Sequence, residues 1–331
     1  MHPFTYTKPN TVNEAIQAIA SGGPGTRFLA GGTTIYDLMK LNVETPTRLV
    51  DVTALKELSG FDTAGSQELV FGAMAHMSDV AADPRLVSDY PALSESLWKA
   101  ASQQLRNMAS VGGNLLQRTR CAYFRFGEPF ACNKRKPGSG CSAQDGLDRG
   151  HALLGGSDSC IAVYPGDWAI ALMAFDAQVD VVGPGGARTI PIDQFHREPG
   201  TTPHIETVLR PEELIVRIRV PAGPLGRAST YHKIRDRESY AFALTSAAVA
   251  LRMEGETVRD ARIALGGVAT KPWRARDAEQ SLIGRPLTPA AARSAGEIAF
   301  KTAQPRHDNK FRVELGTRTV ADALMIAKQR A

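Results

Sequence analysis

The chain of 331 residues has no 18-residue stretch free of charged and polar side chains, so no membrane-spanning helix is expected. It also lacks a G-x-G-x-x-G fingerprint, any C-x-x-C pair, internal repeats and low-complexity linkers. Charge of one sign is scarce as well. Its 39 Lys and Arg against 34 Asp and Glu leave a formal +5, too little to argue for nucleic acid. The opening Met1-His2-Pro3-Phe4 has no basic segment, apolar segment or cleavage site of an export signal, so export is expected only with a signal-bearing partner. The length and 43% hydrophobic content allow a sizeable core and favour two domains.

What is present is a mixed α+β pattern. Thr11 can cap a helix whose apolar positions Val12, Ala15, Ile16 and Ile19 recur at helical spacing. Strands are expected over 27–30, 48–52, 68–72, 178–182, 213–220, 229–234 and 261–265. Helices are expected over 33–41, 79–82, 91–101, 167–175, 241–251, 289–301 and 308–328. Pro221-Ala222-Gly223-Pro224-Leu225-Gly226 breaks the pattern and marks the domain boundary, dividing the chain into 1–222 and 226–331.

Two glycine turns stand out: Gly31-Gly32 in Phe28-Leu29-Ala30-Gly31-Gly32-Thr33-Thr34, and Gly112-Gly113 in Ser110-Val111-Gly112-Gly113-Asn114. Adjacent residues without Cβ let backbone amides approach a diphosphate, and a helix start beyond them adds free N–H donors. The two turns could close on one dinucleotide from opposite sides, or serve only as structural turns. Between 118 and 159 periodicity disappears, and a segment of that length needs something to tie it down. It carries Cys121, Cys132 and Cys141, with Cys160 just beyond. Spacing alone leaves four readings open: an iron–sulfur cluster, zinc, two disulfides, or no joint role. Arg106, Arg118, Arg120, Arg125, Lys134, Arg135 and Lys136 surround these cysteines. They could offset an anionic group, meet an acidic partner, or form a solvated face.

The turns, together with Tyr164-Pro165-Gly166-Asp167 and Tyr231-His232-Lys233-Ile234-Arg235, resemble the flavin-binding medium subunit of the molybdenum hydroxylases over essentially the full chain. Gln104-Leu105-Arg106-Asn107, Gly113 to Cys121, Cys132-Asn133-Lys134-Arg135, Pro137-Gly138-Ser139-Gly140-Cys141 and Ser239-Tyr240-Ala241-Phe242-Ala243-Leu244 are similar to the flavin subunits of bacterial periplasmic three-subunit aldehyde oxidoreductases. The resemblance implies a vanillyl-alcohol-oxidase (PCMH)-type FAD-binding domain over 1–222, with a cysteine-bearing insertion at about 115–160. A CO dehydrogenase flavoprotein-like domain would follow over 226–331.

Carried over residue by residue, the family pattern assigns FAD pyrophosphate to Arg27, Phe28, Leu29, Ala30, Gly31, Gly32, Thr33 and Thr34, with Ser110, Gly113 and Asn114 completing the site. Asp167 falls near the ribityl or ribose hydroxyls and Lys233 near the isoalloxazine, while Cys121, Cys132, Cys141 and Cys160 would bind [4Fe-4S]. The implied assembly adds a molybdenum-cofactor large subunit, where aldehydes become carboxylic acids, and a small [2Fe-2S] subunit. This chain would pass electrons through FAD to an external acceptor and contribute no catalytic acid, base or nucleophile. Periplasmic location by co-export is expected, with the cytoplasm as the alternative. A stand-alone FAD oxidoreductase and a zinc-stabilised, non-enzymatic scaffold are the rival expectations.

Overall fold

The structure is a computed structural model that describes residues 1–331. The chain begins with β1 (Thr5–Thr7), α1 (Val12–Ser21), β2 (Thr26–Leu29), α2 (Ile35–Lys40) and β3 (Arg48–Asp51), whose strands form a parallel sheet ordered β1-β3-β2. The Thr11 hydroxyl caps α1 by accepting from the Glu14 amide at 3.2 Å, and the helix buries Ala15, Ile16, Ala18 and Ile19 as one stripe.

Next come β4 (Phe61–Asp62), β5 (Glu68–Gly72) and five short helices: α3 (Met77–Ala81), α4 (Pro84–Asp89), α5 (Pro91–Trp98), α6 (Gln103–Met108) and α7 (Val111–Leu115). After α8 (Ala122–Arg125) and a long irregular stretch, α9 (Trp168–Ala174) leads into β6 (Gln178–Gly183), β7 (Gly186–Pro191), α10 (Ile192–Phe195) and β8 (Leu214–Pro221). The second sheet is antiparallel, ordered β4-β5-β8-β6-β7.

The C-terminal part contains β9 (Ser229–Ile234), β10 (Thr245–Glu254), β11 (Thr257–Gly266) and β12 (Trp273–Arg274), an antiparallel sheet ordered β12-β11-β10-β9. It is backed by α11 (Arg276–Leu282), α12 (Pro289–Ala299) and α13 (Phe311–Lys328). The fold is α+β, as the patterning implies.

One expected element is corrected: the helix over 241–251 is an irregular segment followed by strand β10. The run Ala247-Ala248-Val249-Ala250-Leu251 is apolar on every side because β10 is buried on both faces, which removes the alternation that marks a half-exposed strand. Ala248 and Ala250 join the N-terminal core beside Trp168 and Ile170. Ala247, Val249 and Leu251 join the core under α12 and α13. Small side chains allow both layers to approach.

The irregular stretch is tied down by charged side chains acting on backbone. Arg135 donates to the carbonyls of Tyr123, Phe124, Gly127 and Phe130. Fully buried Asp148 accepts from the amides of His307 at 3.1 Å and Asp308 at 2.9 Å. Arg312 of α13 donates to the carbonyls of His151, Arg149, Leu244 and Gly267, which joins the insertion to the C-terminal domain. Arg312→Met keeps most of the stem but strips these carbonyls of their donor. It is expected to cost about 3 kcal/mol and to expose residues 121–160 to proteolysis, measured by thermal unfolding and limited digestion.

Candidate functional site

A cavity of about 860 Å³ opens between the two glycine turns, the start of α9 and the segment between β9 and β10. Each turn packs closely against neighbouring backbone, the first against the residues that lead into the second and the second against the segment leaving β5. A Cβ on Gly31 would fall 1.8 Å from the Met108 carbonyl oxygen, and one on Gly112 would fall 2.9 Å from the Ala73 carbonyl oxygen. Only Gly32, at φ +74°, needs the left-handed conformation that glycine permits. The Ser110 hydroxyl caps α7 by accepting from the Gly113 amide at 3.2 Å. Asn114 lines the cavity, and its Oδ1 is buried with no partner. An orphaned acceptor on the wall is what a ligand donor would satisfy.

Arg27, Phe28, Ala30, Gly31, Gly32, Thr33, Thr34, Ser110, Gly113, Asn114 and Asp167 all line this cavity. Leu29 and Lys233 do not. Arg27 folds back, its guanidinium donating to the carbonyls of Pro24 and Thr26 at 2.8 Å each. Lys233 lies behind the wall, its Nζ 2.9 Å from Asp167 Oδ2 and 3.0 Å from the Lys99 carbonyl oxygen.

Two groups of lining residues were not assigned to this site from the sequence. Arg118 pairs with Glu44 on the cavity wall and, at 2.6 Å, with Glu206, which also accepts from Lys134 of the insertion at 2.8 Å. These paired carboxylates outweigh burial and raise the Arg118 pKa. Asp236, Arg237, Tyr240 and Phe242 come from the segment before β10. Tyr240 adopts φ +52° and is 56% exposed. The only signal was the Ser239 to Leu244 motif, whose apolar run reads as a helix.

Four of the seven cations in the basic cluster are paired with carboxylates from elsewhere in the chain. Arg120 and Arg125 share Asp37 at 3.0 and 2.7 Å, Arg118 and Lys134 share Glu206, and Arg135 is taken up by carbonyls. All four cysteines are free thiols and line one small cavity with Phe124 and Lys134. Cys132 and Cys141 face each other across an isolated bridge. No three Cys, His, Asp or Glu side chains are drawn together as ligands of a single ion. Burial pushes the Cys121 thiol up to about 12, against the opposing amides of Phe124 and Tyr123 at the start of α8, and it also raises Cys160. Thiolate ligation here would therefore release protons. His151 Nε2 lies 3.3 Å from Cys121 Sγ.

The fold and the site together define an α+β pair of domains around a glycine-rimmed ligand cavity with an unsatisfied acceptor on its wall. The chain belongs to the family of FAD-binding domains in molybdopterin dehydrogenases, matched over residues 2–223, and carries a CO dehydrogenase flavoprotein C-terminal domain over 229–326. It is 45% identical to the aldehyde oxidoreductase FAD-binding subunit PaoB of Escherichia coli K12, covering 100% of both chains. It is 29% identical to the carbon monoxide dehydrogenase medium chain of Hydrogenophaga pseudoflava, covering 92% of this chain and 88% of that one. A solved carbon monoxide dehydrogenase structure from the same organism superposes with a TM-score of 0.78 at 28% identity, covering 100% of this chain and 99% of the other.

Gly31→Ala is expected to push the turns apart at a cost of about 2 kcal/mol and to abolish flavin retention, measured by thermal unfolding and flavin content. A pH effect follows from His196, whose Nε2 lies 2.9 Å from the Leu115 carbonyl oxygen at the end of α7. Burial lowers its pKa from 6.5 to about 4. The folded imidazole stays neutral while the unfolded one takes a proton, so stability falls as pH drops from 6.5 towards 4, by about 3 kcal/mol in all. His196→Gln should flatten unfolding free energy against pH across that window.

Proposed function

We propose that the chain is the FAD- and [4Fe-4S]-containing electron-transfer subunit of a molybdenum-dependent aldehyde oxidoreductase. It takes electrons from a [2Fe-2S] subunit and delivers them to an external acceptor, while aldehyde oxidation to the carboxylic acid belongs to the molybdenum-cofactor subunit. The observation that carries the flavin part is the pair of closely packed glycine turns lining one cavity, with the Asn114 acceptor left unsatisfied. Full-length similarity to PaoB supports the aldehyde assignment.

FAD, when bound, stores two electrons and releases them singly or in pairs. Around it, the backbone amides of the Gly31-Gly32 turn and the hydroxyls of Thr33 and Thr34 would hold the diphosphate, while the Gly112-Gly113 turn, whose amides are taken by the Ala73 carbonyl and the Ser110 hydroxyl, would form the wall beside it. Asn114 Oδ1 and the Asp167 carboxylate would accept from ligand N–H or O–H groups. Four thiols lining a common space are the four soft ligands that a [4Fe-4S] cluster would use, and they support that part of the reading. Phe124 and the aliphatic stem of Lys134 keep that space apolar.

Anaerobically purified chain is expected to contain one FAD and about four irons with four sulfides, measured by acid release and visible absorption. Cys132→Ser should abolish iron retention. Aldehyde-driven flavin reduction should require both partner subunits. Turnover by the isolated chain would favour a stand-alone oxidoreductase, and zinc without flavin would favour a scaffold.

A further inference from the structure

Asp167 occupies the N-cap position of α9, where a carboxylate ordinarily accepts from amides of the first helical turn. It makes no such bond. Its two oxygens are taken from the other side: Tyr231 Oη donates to Oδ1 at 2.5 Å and Lys233 Nζ to Oδ2 at 2.9 Å. Tyr231 is fully buried in β9, and its hydroxyl also lies 2.9 Å from the Ser246 hydroxyl on β10. Lys233, two residues along the same strand, is fixed by the Lys99 carbonyl. Both donors therefore come from a rigid sheet buried on two faces, and they belong to the C-terminal domain while the carboxylate belongs to the FAD-binding domain.

We propose that Tyr231 is a positioning residue for the flavin site: it draws the Asp167 carboxylate off its own helix end and holds it as an acceptor on the cavity wall for a hydroxyl or N–H donor of FAD. The proposal rests on the FAD reading above. Lys233 supplies the opposite charge that makes a buried carboxylate tolerable, and Tyr231 supplies its direction. Neither needs to touch the ligand. With the phenol hydroxyl removed, Lys233 still holds Oδ2 and keeps the buried charge paired, while Oδ1 loses the bond that fixes its direction, so the site loses an oriented acceptor.

The test uses the full chain after flavin removal, comparing wild type, Tyr231→Phe, Asp167→Asn and the double variant. FAD affinity is read by fluorescence titration, the melting temperature is taken without flavin, and the visible band is recorded on rebinding. Tyr231→Phe should bind FAD about tenfold more weakly with an unchanged flavin-free melting temperature and a shifted band. The double variant should bind no more weakly than Asp167→Asn alone, because Tyr231 acts through Asp167. Unchanged affinity in Tyr231→Phe, affinity lost in step with melting temperature, or additive losses would each overturn the proposal. Should Asp167→Asn fail to fold, Tyr231→Phe alone decides by affinity against melting temperature. Wild-type chain that takes up no FAD would instead overturn the FAD reading, and this proposal with it.

Discussion

Everything around the cavity depends on two backbone segments coming closer than side chains would permit. Gly31 lies against the Met108 carbonyl and Gly112 against Ala73, so the turn after β2 and the turn that opens α7 form one continuous wall although some 80 residues separate them. The Val111 and Gly112 amides donate to the carbonyls of Ala75 and Ala73, which hangs this wall on the segment leaving β5. His196 reaches the far end of α7, through the Leu115 carbonyl, from the edge of the five-stranded sheet. The parallel and antiparallel sheets are thereby coupled through the site rather than beside it.

The insertion answers a different constraint. Its backbone lacks ladders, so polar main-chain groups must find partners among side chains. Arg135 gathers the carbonyls of the Cys121–Cys132 loop, and Arg312 gathers those next to His151. Leu38 of the flavin cavity packs with Phe124 of the cysteine cavity, and Arg118 lies 4.7 Å from the Phe124 ring. A single layer of side chains separates the two spaces.

Part of the wall was legible: paired glycines with hydroxyls beside them form a local pattern, whereas Asp167 was reached only through the family resemblance. The α1 cap at Thr11 and the β5 and β9 strands were legible for the same reason: their information is local. β10 was not, because burial on both faces erases alternation, and with it went the preceding segment that brings Tyr240 and Phe242 to the cavity. Lys233 was identified from its motif, but no local pattern reports that Asp167 stands between it and the cavity. Likewise the sequence left the role of the basic run around the cysteines open, because the carboxylates that pair with part of it come from positions 37, 44 and 206.

The C-terminal sheet belongs to both hydrophobic cores, with Ala248 and Ala250 on one side and Ala247 and Val249 on the other. Two halves joined this way cannot rock open like a hinged clamp without tearing apolar surface from both layers at once. The short span bearing Tyr240 and Phe242 reaches the cavity without joining either core. A ligand seated between two layers that share one sheet is held by walls whose shape is set by the packing of both cores rather than by a closing movement.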